Sequence, residues 1–253
     1  MIQRIAHRMP SRSAAGNTGR LIARDQLSRA QVDAMYGLFV ANFEAVSRDS
    51  FRCDLDRKNW AILLEDHDRQ LIGFSTLKFY HSVTSAGAPC SIVYSGDTIV
   101  SPHAWGSTVL ARTWLQSVRE LQRTQGTAPT YWLLICSGFR TYRFLPVFWK
   151  QFFPNCRERT PQGVQEFMNR LAEHQFGSQY DAEAGIVRFQ YPQILCNQLR
   201  DIPRGRIRDA HIAYFQERNP GYVLGDELVC LTDVSEENLT RAGQRILGQI
   251  VES

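Results

Sequence analysis

Between residues 28 and 43 the apolar positions Val32, Met35, Tyr36, Phe39, Val40 and Phe43 recur every three or four residues. That spacing places them on one face of an α-helix, and Ser28 followed by Gln31 has the form of a capping box at its start. The period then changes. Residues 59–65 and 70–80 are β-rich runs around the polar segment Asp66-His67-Asp68-Arg69, which predicts an antiparallel hairpin. A strand follows over residues 90–100, with Ile92, Tyr94, Thr98 and Val100 expected on one face and Val93, Asp97 and Ile99 on the other. It ends at Pro102. After the turn His103-Ala104-Trp105-Gly106-Ser107-Thr108, Leu110, Trp114, Leu115, Val118 and Leu121 form a helical stripe that stops near Gly126. Residues 131–136 read as a buried strand. A helix between two strands predicts a parallel pair joined by a crossover.

Farther on, residues 138–149 form an aromatic segment of helical character that Pro146 must start, kink or interrupt. The polar stretch 157–183 reads as an insertion carrying a helix over 161–174. Strands are predicted over 185–191 and 227–232 with a helix over 209–218 between them, and Ser235 is placed to cap a last helix reaching residue 250. No internal repeat is found.

Composition narrows the class. Of 253 residues, 43% are apolar and 21% charged, which suits a globular chain with a sizeable core and excludes a disordered or fibrous one. The net charge of +4 gives no footprint for nucleic acid or an anionic membrane. Arg4, Arg8, Arg12, Arg20 and Arg24 precede the first acid, Asp25, so residues 1–20 read as a flexible basic arm and the remainder is near neutral. Six cysteines (Cys53, Cys90, Cys136, Cys156, Cys196, Cys230) show no C-x-x-C pair, the usage of a reducing cytoplasm. No apolar run approaches the roughly 20 residues that cross a bilayer. No metal site is expected: Glu65, Asp66, His67 and Asp68 are consecutive residues at a turn, whose side chains splay into solvent. No nucleophile elbow, Walker loop or H-E-x-x-H is present.

From residue 21 to about 154 this layout resembles the GNAT superfamily, the acyl-coenzyme A N-acyltransferases. The resemblance implies an α/β (α+β) fold with a mixed, mostly antiparallel sheet flanked by helices. Residues 21–156 would be the acyltransferase-like core, and 157–253 a helical insertion and C-terminal elements completing the same domain. It also implies a phosphate-binding turn after the central strand. Val100 and Pro102 match that turn. Trp105 stands where the family has arginine or glutamine, Thr108 and Leu110 stand at the two glycine places, and Gly106 falls at a commonly seen extra glycine. Glycines there let backbone amides approach a pyrophosphate, and a helix N-terminus adds partial positive charge. Val100, Trp105, Gly106, Ser107 and Thr108 are therefore the cofactor-binding candidates. Ser107 and Thr108 would either supply hydroxyl donors or cap their own helix. Coenzyme A bound in an altered pose, an acyl carrier protein inserting its phosphopantetheine arm, and no thioester ligand at all stay open as alternatives.

The chemistry would need a base for the amine proton and an acid for the leaving thiolate. Asp97 is the acid within the central strand; the competing reading pairs it structurally with Arg140 or Arg143. Tyr142 stands where the family often places a tyrosine that protonates the thiolate. Arg140 and Arg143, three apart, are candidates for an anionic group of the substrate, or for ion pairs. His103, at the tip of the turn, is a weaker candidate for moving a proton. The aromatic cluster near residue 148 would line an acyl channel or form plain core. The expectation is an enzyme transferring an acyl group from acyl-CoA, or from an acyl carrier protein, to an amine of a small metabolite or peptide. The alternative is a GNAT-like domain that binds a ligand or a protein without catalysis.

Overall fold

The computed structural model describes residues 16–126 and 129–251. The strands are β1 (Thr18–Ala23), β2 (Phe43–Glu44), β3 (Trp60–Glu65), β4 (Leu71–Val83), β5 (Pro89–Val100), β6 (Thr130–Cys136), β7 (Tyr180–Asp181), β8 (Ile186–Val187), β9 (Ile194–Leu195) and β10 (Glu227–Asp233). The α-helices are α1 (Arg29–Asn42), α2 (Arg48–Asp56), α3 (Val109–Gln125), α4 (Phe139–Tyr142), α5 (Phe144–Phe148), α6 (Gln162–Phe176), α7 (Asn197–Arg200), α8 (Ala210–Arg218) and α9 (Arg241–Val251).

One eight-stranded sheet runs in the order β1-β3-β4-β5-β6-β10-β8-β7, while β2 pairs with β9 apart from it. Only β5 and β6 pair in parallel in the large sheet; the other neighbours are antiparallel. The hairpin, central strand, crossover helix and parallel partner expected from the GNAT resemblance are all present. Helix α1 starts on the anticipated capping box: Ser28 accepts from the Gln31 amide, and the Gln31 side chain accepts from the Ser28 amide.

The sheet is covered on both faces. On one face α3, with α4, α5, α8 and α9, closes a core containing Val93, Trp114, Trp132, Leu134, Phe139, Phe215 and Ile246. On the other, α1 and α2 pack through Met35, Phe39, Phe51 and Leu55, and α6 packs through Phe167, Met168 and Leu171 against Ile92, Leu133 and Val229.

Several sequence expectations change. Residues 1–15 of the expected arm lie outside the described residues, but Thr18, Gly19 and Arg20 belong to β1, an edge strand on β3. The helix expected within 157–183 is α6, and its Phe167, Met168 and Leu171 are buried against the sheet. No single aromatic helix spans 138–149. The chain makes the short helices α4 and α5, and then Trp149 and Phe153 bridge to Leu239 and Leu231. The last helix begins at Arg241 rather than after Ser235.

The regular alternation expected along β5 also fails. Leu77 pairs with Ser95, yet Ser75 pairs with Thr98, so Gly96 and Asp97 form a bulge opposite Thr76. An extra residue reverses the side-chain parity beyond it. Val93 and Val100 consequently contact the α3 face while Ile99 joins the α1 face.

Candidate active site

The β5–β6 ladder stops early. Parallel pairing runs from Ser91 with Thr130 to Ser95 with Leu134. Beyond that point β5 continues to Val100 on β4 alone. A cavity of about 440 Å³ opens where the two strands part. Gly96, Thr98 and Val100 form one bank, Ile135, Ser137 and Gly138 the other, and Leu110, Trp114 and Trp132 line its α3 side. Among the described residues no aspartate or glutamate lines it, whereas Arg140, Arg143 and Arg206 do. The C-terminal extension contributes Leu195, Leu199 and Pro203 to the wall.

The turn after β5 meets the cavity unevenly. Val100, Trp105 and Ser107 line it, but Gly106 and Thr108 are exposed beside it and His103 is exposed away from it. The Trp105 indole N–H donates to the Val100 carbonyl at 2.8 Å, so the last strand oxygen already has a partner. Ser107 Oγ accepts from the Val109 amide at 3.2 Å, a helix-starting role, while Thr108 makes no capping bond. The Arg140 guanidinium lies 4.6 Å from the centres of both the Trp105 and Phe139 rings, and it donates to the Leu199 carbonyl. Trp105 is 45% exposed, so indole and guanidinium form a stacked rim over an open cavity. Burial first, and then the neighbouring Arg206 charge, lower the Arg140 pKa, with Asp201 opposing. A guanidinium remains charged regardless, and two crowded cations favour an anion beside them. Arg143 is spent differently: its Nε lies 3.0 Å from Asp209, the residue that caps α8.

Asp97 is not in the cavity lining, although Ser95, Gly96 and Thr98 are. Its charged neighbours are Asp54 and Lys58, not Arg140 or Arg143, which overturns the pairing considered from sequence. Burial, then the Asp54 charge, push the Asp97 carboxyl up to about 7, with Lys58 opposing. Glu227, at the start of β10, is pushed up to about 8 by burial, then by Asp97 and Asp54. Lys58 has a fully buried side chain, bonds Asp54 at 2.5 Å, and lies 5.2 Å from the Tyr94 ring centre. A Cβ on Gly96 would sit 2.6 Å from Lys58 Cε and 2.8 Å from Thr76 Oγ1, so only glycine lets this lysine lie against the bulge. Arg140, Arg143 and Arg206 thus line the slot between the parted strands, while Asp97, Asp54 and Glu227 form a separate charged group with Lys58 outside that lining.

Tyr142 requires a correction. It is fully buried, absent from the cavity lining, and its hydroxyl donates to the Pro154 carbonyl at 2.9 Å. Burial drives its pKa far up, and packing on Phe152, Tyr214 and Phe215 makes it core. Of the neighbouring aromatics, Phe148, Trp149, Phe152 and Phe153 pack into core outside the cavity lining, while Phe144 lines the cavity. Asp54, Lys58 and Glu227 were not singled out from sequence. Lys58, one of three lysines, offered a compositional signal only, and Glu227 reaches Asp97 solely through the sheet order. The Asp66, His67 and Asp68 side chains do converge, but Asp66 Oδ1 accepts from the Asp68 and Gln70 amides, as in an ordinary turn.

No protein-family profile and no curated protein matches this chain. Solved structures do. A GNAT family N-acetyltransferase, YhbS from Escherichia coli in complex with CoA, aligns over 52% of this chain and 69% of its own at 14% identity and TM-score 0.39. Escherichia coli ElaA aligns over 58% and 93% at 16% identity and TM-score 0.37. A conserved protein from Enterococcus faecalis V583 aligns over 87% and 66% at 12% identity and TM-score 0.42. No residue role is carried over from them.

Proposed function

We propose that the chain is an N-acyltransferase whose donor is an acyl thioester of coenzyme A or of a carrier protein, and whose acceptor is the amine of a small metabolite or peptide. The observation that carries this reading is the cavity at the parting of β5 and β6, with its apolar and aromatic walls, an arginine-bearing rim and no acid in its lining among the described residues. A phosphopantetheine arm would enter this slot with its phosphate toward Arg140 and Arg206. Fixing both reactants there removes translational freedom before the chemical step.

In this mechanism the acceptor arrives from the Asp97 face. Its nitrogen forms a bond to the thioester carbon as the carbonyl π pair moves onto oxygen. Collapse restores the carbonyl and breaks the carbon–sulfur bond. The amine proton passes to Asp97, directly or through water, and ends on sulfur, giving an amide and a free thiol. A carboxyl poised near neutrality by burial suits a base working at that pH.

The test is thermal denaturation with coenzyme A, acetyl-CoA, octanoyl-CoA and a holo acyl carrier protein. Saturation at about 100 times Kd should stabilise the protein by about 2.7 kcal/mol. No shift with any of them would favour a binding domain without acyl transfer. That second reading draws on one feature, the Val100 carbonyl already engaged by Trp105.

A further inference from the structure

At the deepest point of the parting, two indole N–H groups converge on a single hydroxyl. Trp132 Nε1 donates to Ser95 Oγ at 2.9 Å and Trp114 Nε1 donates to the same oxygen at 3.3 Å. The rings lie 4.3 Å apart between centres, one from β6 and the other from α3. A serine hydroxyl has two lone pairs and one hydrogen. With both lone pairs engaged, Ser95 can act toward anything else only as a donor. It is 4% exposed, lines the cavity, and has no acceptor among the described hydrogen bonds. Ser75 and Thr98, the neighbouring cavity hydroxyls on β4 and β5, bond each other at 2.7 Å, and Thr98 Oγ1 also reaches the Gly96 carbonyl at 3.4 Å, so with Ser75 donating to Thr98 and Thr98 to Gly96 neither hydrogen is left for the cavity. A buried donor left unmet is costly, so its hydrogen is offered to the cavity's contents.

We propose that Ser95 is a catalytic donor: its hydroxyl hydrogen-bonds the carbonyl oxygen of the thioester held in the cavity and strengthens that bond as charge builds on the oxygen. The proposal rests on the acyl-thioester reading. Ser95 with Leu134 is the last parallel pair, so the hydroxyl stands where the slot begins. Asp97 lies two residues farther along the same strand, within the bulge. Two donated hydrogen bonds polarise the Ser95 O–H and make it a better donor than an isolated serine. The indoles fix its direction before any ligand arrives, which is the preorganisation that makes such donors effective.

Infrared spectroscopy of octanoyl-CoA carrying ¹³C at the thioester carbonyl tests this on the folded, full-length protein. In the wild type the bound carbonyl band should move to lower wavenumber than in solution. Ser95→Ala should return it toward the free position while affinity for coenzyme A itself stays unchanged. In any amine-acylation assay the variant should lose about 100- to 1000-fold in kcat with little change in donor KM. Ser95→Cys, which keeps a weaker donor, should fall between the two and serves if Ser95→Ala does not fold. Bound octanoyl-CoA with an unmoved wild-type band, or a full wild-type shift in either variant, would overturn the role of Ser95 and leave the donor reading standing. If neither coenzyme A nor octanoyl-CoA binds, the donor reading fails and this role fails with it.

Discussion

Replacing Asp97 by asparagine removes one ionisation beside the Gly96 bulge and barely alters the side chain's size. In the folded protein burial and Asp54 raise this carboxyl to about 7, against an ordinary value of 3.8. Between those pH values the folded chain keeps a proton that the unfolded chain has lost. Stability must therefore fall as pH rises through that window, at most by about 1.4 kcal/mol per pH unit for one group. A displacement of about three units gives an upper bound of roughly 4 kcal/mol at pH 8. Asp97→Asn should melt close to the wild type near pH 4.5 and above it at pH 8, by roughly 10 °C if the full bound is realised. Glu227, raised to about 8 in part by Asp97, is relieved by the same change, which acts in the same direction. Melting curves from pH 4.5 to 8.5 at constant ionic strength measure the difference. A gap that does not vary with pH would refute the reasoning. So would a wild type that gains on the variant as pH rises, because Lys58 would then be holding Asp97 ionised as an ion pair.

Three further outcomes follow from named contacts. Gly96→Ala places a methyl against Lys58 and Thr76 and should cost about 1–3 kcal/mol in urea unfolding; an unchanged midpoint would mean that Lys58 is not held against the strand. Tyr142→Phe should lose about 1 kcal/mol by deleting the bond to Pro154, and loss of donor affinity in a folded variant would contradict its place outside the cavity. Arg140→Ala removes the stack on Trp105 and the bond to Leu199. Amide exchange should quicken across residues 195–206 at a stability cost of about 1 kcal/mol, and unaltered exchange there would show that Arg140 does not hold this segment.

What was legible in the sequence was whatever depends on local period. The α1 capping box, the hairpin and the β5–α3–β6 crossover each follow from spacing within about thirty residues, and all three are present. The bulge was not legible, because Gly96 can occupy a regular strand as readily as an irregular one; only the pairing of Ser75 with Thr98 reveals the extra residue. Helix α2 went unnoticed since its sequence is polar apart from Phe51 and Leu55, with Ser47 as a quiet cap. Arg140 and Arg143 did reach one cavity, as three-residue spacing allowed, yet Asp209 came from far along the chain to claim Arg143. Tyr142 looked chemical by position and proved structural, because the chain bends after α5 and returns Pro154 to its hydroxyl.

The two-residue ladder between β2 and β9 bears on where this protein could be shortened. It ties the exit of α1 to a point some 150 positions later, pairing Phe43 with Leu195 and Glu44 with Ile194. Leu195, Leu199, Pro203 and Arg206 then wall the cavity beside Asn42 and Phe43. A chain stopped at residue 156 would keep the crossover yet lose this clasp, and the slot would stand unroofed. The residues after 156 are therefore part of the vessel itself, and trimming them away would change what the protein can hold.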